Sequence, residues 1–183
     1  GYNEIPNLAT VDSERDNHVW IAFLGFEGKR SAAVYNEISD DAKYIMEHTE
    51  KALYEGIKQA QKGNRIGDIS YAVQKYAEDH NLGVVRELCG HGIGKEMHED
   101  PQVPNYGRRG TGTLLKNGMC LAIEPMITMG SRQIYLEDDR WSVSTRDGKC
   151  AAHFEHTGAV RQGKADILSS FEFIEEILGD KSI

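Results

Sequence analysis

Gly90-His91-Gly92-Ile93-Gly94-Lys95-Glu96-Met97-His98-Glu99-Asp100-Pro101 is the stretch on which the reading of this chain turns. Two histidines stand seven residues apart in a setting too polar and too glycine-rich for an ordinary core. Glycine lets a backbone approach a ligand closely or adopt a positive φ that other residues resist. His91, with a glycine on either side, therefore reads as a side chain presented at a strand end, against the alternative of a structural or merely exposed histidine. Downstream, Ile123-Glu124-Pro125-Met126 and His153-Phe154-Glu155-His156 each place an acid in a short apolar run. An ionised carboxylate there is costly unless it is paired or coordinated. The alternative for Glu124 is a salt bridge to an arginine, and for Glu155 an exposed acid on a half-buried strand. One imidazole and two carboxylates brought together make half of a hard-metal site, which points to metal-dependent hydrolysis.

The remaining chemistry-bearing residues are read against that centre. In a regular strand His153 and Glu155 share one face, and Phe154 and His156 the other. Glu155 is the preferred ligand, with His153 a neighbour that hydrogen-bonds to site groups. His98, beside Glu99, is a candidate donor to a substrate carbonyl, against the alternative of a surface histidine. There is no GxSxG elbow, phosphate-binding glycine loop or HExxH helix in the chain. Cys89, Cys120 and Cys150 form no CxxC pair, so a reduced, cytoplasmic protein is expected.

Working outward, the 183 residues suffice for one domain with a proper core. The net charge of -8 disfavours a general nucleic-acid binder, and no apolar segment approaches the ~18–20 residues needed to cross a bilayer. Val19 to Phe26 and Ser31 to Tyr35 read as strands. Ser39 is an N-cap for a helix over Asp40 to Ala60, with Ile45, Thr49, Leu53, Ile57 and Ala60 on one face. A second helix is expected from Asp68 to His80, burying Ile69, Ala72, Val73, Tyr76 and Ala77. Val84 to Leu88 reads as a strand leading into the His91 loop, and residues 101–118 as a long ordered connection. Met119 to Met126 reads as a buried strand broken at Pro125. Gln133 to Leu136 and Trp141 to Thr145 form hairpin arms, Ala151 to Val160 a strand, and Ile167 to Leu178 a helix. Two helices followed by several strands predict an α+β domain rather than a doubly wound sheet.

From about Glu37 onward the chain resembles the bacterial-type methionine aminopeptidases. The matching words are Gly63-Asn64-Arg65-Ile66-Gly67-Asp68-Ile69, Gly90-His91-Gly92-Ile93-Gly94, His98-Glu99-Asp100-Pro101-Gln102-Val103-Pro104, Ile123-Glu124-Pro125-Met126 and Phe154-Glu155-His156-Thr157. The resemblance implies the pita-bread α+β fold, up to two divalent ions (Mn, Co, Fe, Zn or Ni), and removal of the first methionine from nascent polypeptides. It makes His91, Glu124 and Glu155 metal ligands, with Glu155 bridging the ions and Glu124 also the general base. It makes His98 the substrate-contacting histidine and places Trp141 beside the methionine pocket. A cytoplasmic monomer that meets its substrates at the ribosome, with no membrane or nucleic-acid role, is the corresponding expectation.

The departure lies in residues 1–36. The family's two aspartates stand eleven residues apart on adjacent strands, whereas here Lys29 occupies the place of the second. Asp12, the candidate for the first, lies seventeen residues before Lys29. The family's upstream histidine loop is missing as well. That segment is therefore expected to be a divergent or incomplete part of a single catalytic domain, with Asp12 a candidate ligand set against a solvated surface acid. The rival readings are a proline-specific aminopeptidase or creatine-amidinohydrolase-like enzyme of the same fold, and a catalytically inactive pita-bread protein that binds peptides or ribosome-associated partners.

Overall fold

The computed structural model describes residues 39–170. The strands expected over Val19–Phe26 and Ser31–Tyr35, Asp12, and most of the expected C-terminal helix lie outside them.

Helix α1 spans Asp40–Gln59. Ser39 caps it, its Oγ accepting the Ala42 N–H at 3.2 Å, and Asp40 and Asp41 complement the positive end of the helix dipole. The expected stripe is the buried one, with Ile45, Thr49 and Leu53 all at or below 1% exposure. Helix α2 spans Ile66–Asp79, beginning two residues before the sequence suggested. The reason is distant in the chain: the Ile66 and Gly67 N–H groups donate to Thr113 O and Thr111 O at 3.0 and 2.9 Å. Those loop carbonyls satisfy donors that a helix start otherwise leaves orphaned. The two helices pack closely at Gly56, where a Cβ would sit 2.8 Å from Val73 Cγ2.

Ten short strands follow among the described residues. They are β1 (Gly83–Val84), β2 (Cys89–Ile93), β3 (Glu99–Pro104), β4 (Cys120–Ile123), β5 (Met126–Thr128), β6 (Ile134–Leu136), β7 (Val143–Thr145), β8 (Ala151–His153), β9 (His156–Val160) and β10 (Ala165–Ile167). All named pairings are antiparallel, in three sheets ordered β1-β5-β8, β10-β9-β4-β2-β3 and β6-β7. Several expectations change. His91 lies within strand β2 rather than in a loop after it. The start of the expected 101–118 connection is strand β3, paired with β2. Ile167 belongs to β10, which pairs with β9, so the helical spacing read from Ile167 does not describe its beginning. The hairpin arms are β6 and β7 as expected, and the break at Pro125 separates β4 from β5.

A second break, absent from the sequence reading, splits Ala151–Val160 at Phe154-Glu155. The two breaks face each other. Ile123 pairs with His156 in the five-stranded sheet, and Met126 pairs with His153 in the three-stranded sheet. Between them only Phe154 N–H reaches Pro125 O, at 3.4 Å. Two antiparallel strands thus leave one sheet together and enter another, and Glu124 and Glu155 sit at the crossing. Ile123 and Ile127 anchor it in the core formed with Ile45, Leu53, Ile69 and Leu121. No described helix is long and apolar enough to cross a membrane.

Candidate metal centre

The glycines around His91 serve strand packing. A Cβ at Gly90 would stand 2.3 Å from Ala122 O, and one at Gly92 2.3 Å from Asp100 O, so β2 can lie between β4 and β3 only without side chains there. Neither residue has a positive φ. His91 is opposite Ala122 in the β2–β4 register, and two residues further on Glu124 comes to the same face.

Glu124 is the hub. Its side chain is 12% exposed, with Oε1 at 3.5 Å from His91 Nε2 and Oε2 at 3.2 Å from His153 Nε2. No arginine pairs with it among the described residues, so the salt-bridge alternative falls away. His91 Nδ1 lies 2.9 Å from Gly92 O. A carbonyl only accepts, so Nδ1 is the donor in that bond, which leaves Nε2 as the nitrogen that a metal ion would take. One ligand atom each from Glu124, His153 and Glu155 lie within 4.8 Å of one another. The Glu155 carboxyl is pushed above the ordinary carboxylate range, first by lost solvation and then by the Glu124 charge, with His153, His91 and His98 opposing. Solvent nonetheless reaches the Glu155 side chain.

Crowded acceptors of this kind fit a divalent cation. Two carboxylates and two imidazole nitrogens converge, and His153 Nε2 is buried with no hydrogen-bond partner. Burial and then the Glu124 charge raise the Cys89 thiol pKa, and the converging donor group is Glu124, His153 and Glu155. His98 is exposed on the β2–β3 turn, its ring centroid 4.2 Å from that of His91. The turn is tied by the Glu96 N–H donating to Glu99 Oε1 at 2.8 Å. Trp141 is 76% exposed beside the β6–β7 hairpin, its backbone N–H donating to Asp139 Oδ1 at 2.9 Å.

The alternation expected over 153–156 holds across the break. Phe154 and His156 turn into the core at 8% and 2% exposure, while His153 and Glu155 face Glu124. His156 shares hydrogen bonds with the Tyr54 hydroxyl at 3.2 Å and Ser169 Oγ at 2.7 Å, a structural role. The sequence reading undervalued His153; the signal available was its shared face with Glu155. A separate open cleft of about 660 Å³ lies at the start of α2, lined by Ile66, Gly67, Ser70 and Tyr106, and none of the cluster residues lines it.

The model of metallopeptidase family M24 matches residues 26–162. The chain belongs to this family. Among M24 relatives, methionine aminopeptidase 1 of Bacillus subtilis is 49% identical over 147 residues, covering 79% of this chain and 59% of that protein. Methionine aminopeptidase of Clostridium acetobutylicum is 45% identical over 150 residues, covering 81% and 60%. The crystal structure of methionine aminopeptidase from Rickettsia prowazekii superposes with a TM-score of 0.69 at 44% identity, covering 71% of this chain and 53% of that one. The M24 chain described here thus spans between half and three fifths of the length of these relatives, and its helices and sheets have the pita-bread α+β fold.

Proposed function

We propose that this chain is a methionine aminopeptidase: it hydrolyses the bond after an N-terminal methionine of nascent polypeptides at a centre of one or two divalent ions. The observation that carries this reading is the convergence of His91, Glu124 and Glu155 at the strand crossing of a chain 49% identical to such an enzyme. When bound, the ions lower the pKa of water and polarise the scissile carbonyl. His91, Glu124 and Glu155 would hold them, with Glu155 shared between two, and Asp12 is a further candidate ligand. Glu124, whose carboxylate is largely shielded from solvent, takes the proton from the attacking water and passes it to the leaving amine. His98 donates a hydrogen bond to the developing oxyanion from the solvent side. Trp141 would border the methionine pocket, where an apolar lining suits an unbranched thioether and rejects a charged first side chain by desolvation. The enzyme works as a cytoplasmic monomer near the ribosome.

Release of free methionine from Met-Gly and Met-Ala peptides tests this. The full chain should release it with Mn, Co, Fe, Zn or Ni, stop on chelation and recover when metal is restored. No release with any of these ions would reject the enzyme. The inactive peptide-binding reading rests on Lys29 at an expected aspartate position, and the identity to methionine aminopeptidases does not favour it. A folded chain that holds peptide but no divalent ion would establish it.

A further inference from the structure

We infer that His153 is a metal ligand, giving the centre a second imidazole nitrogen beside that of His91. The inference rests on the metal-centre reading above and adds a donor that the resemblance did not supply. Its basis is the direction of one nitrogen. His153 Nε2 lies 3.2 Å from Glu124 Oε2, near enough for a hydrogen bond, yet it is buried and makes none. A ring that served only to orient Glu124 would aim an N–H along the carboxylate lone pair, the geometry a hydrogen bond requires. Here the nitrogen and the oxygen stand side by side, and one ligand atom each of His153, Glu124 and Glu155 lie within 4.8 Å of one another. Three donor atoms so arranged share a point between them rather than a proton.

The His91 side has the same form. Its protonated Nδ1 is engaged by Gly92 O, and its Nε2 stands 3.5 Å from the other Glu124 oxygen. Glu124 is thus flanked by one imidazole nitrogen on each oxygen. The backbone holds His153 in place: it is the last residue of β8, registered against Met126 just past the Pro125 break, on the same face as Glu155. Chemically, an added imidazole nitrogen moves preference away from Mg and Mn and toward Ni, Fe and Zn.

Electron paramagnetic resonance of the full chain loaded with one equivalent of Cu(II) reads the number of nitrogen donors directly. The unaltered chain should show superhyperfine coupling to two nitrogens. His153→Gln should show one, with circular dichroism unchanged, and should bind Co(II) at least ~10-fold more weakly, the lower end of what altering even an outer-shell partner costs. His98→Asn should keep two. A single nitrogen in the unaltered chain, which requires no folded variant, overturns the assignment, as does a two-nitrogen spectrum that His153→Gln leaves intact or that His98→Asn reduces. Failure of the unaltered chain to take up any divalent ion overturns both this assignment and the metal-centre reading. Ion uptake with one nitrogen overturns this assignment alone.

Discussion

The α1–α2 pair and the β4/β5–β8/β9 crossing are built from the same core yet handle polar groups in opposite ways. In the helix pair the termini are answered: Ser39 caps α1, loop carbonyls cap α2, and buried Thr49 donates to Ile45 O at 2.6 Å. At the crossing the ladder lapses for two residues on each strand, two acids face each other's neighbourhood, and a buried imidazole nitrogen has no hydrogen-bond partner. Stability is the product of the first region. The second region holds an arrangement that a divalent cation would satisfy, since unpaired buried polar groups and clustered carboxylates are costly.

The largest expected effect is that of Glu155→Gln, which breaks the crossing without touching the helices. An amide offers one weak acceptor and a donor that opposes a cation, so the variant should keep its circular dichroism and lose one or both ions together with turnover. Full metal content in a folded variant would remove Glu155 from the centre. His98→Ala should lower turnover by roughly 10²–10³-fold, the scale of one lost oxyanion donor, while leaving ion content alone. Loss of metal with activity would move His98 into the coordination shell.

Leu53→Ala probes the other region. Leu53 is fully buried in α1, so truncation should cost about 2–5 kcal/mol in urea unfolding, with metal affinity of the folded fraction unchanged. A smaller effect is expected from pH. His48 sits among Tyr44, Tyr76 and His80, with Glu47 and Lys51 alongside, and its pKa is lowered from 6.5 first by lost solvation and then by His80. A base held neutral in the fold is protonated more readily in the unfolded chain. Its contribution to stability is therefore present above about pH 6.5 and lost as pH falls through the lowered folded value. His48→Gln should flatten that acid-side decline, measured as the urea midpoint between pH 7.5 and 5; an unchanged slope would assign the decline to other groups.

The same contrast explains what the sequence disclosed. The stripe Ile45, Thr49, Leu53, Ile57 is local information at helical spacing, and it marks α1 to within a residue at its C-terminal end. The start of α2 was misplaced because its caps come from Thr111 and Thr113, far along the chain. His91, Glu124 and Glu155 were legible as residue types in the wrong company, an acid or imidazole amid glycines and apolar runs. Their meeting followed from the family resemblance and not from the residues themselves, because it depends on the register that pairs Ile123 with His156 and Met126 with His153. Nor could the sequence set His153 Nε2 beside Glu124 without a hydrogen bond between them: parity fixes its face, whereas the break at Phe154-Glu155 sets its direction. The glycines of the opening stretch were recognised as meaningful for a different reason from the one the structure gives, which is the close approach of three strands.

The central claim is that the crossing is a metal centre. Divalent-ion content of the full, unaltered chain, loaded with Co(II), desalted and analysed beside circular dichroism, tests it most directly. At least one ion per folded chain, removed by chelator without loss of secondary structure, is the predicted result; a folded chain that retains none would contradict it.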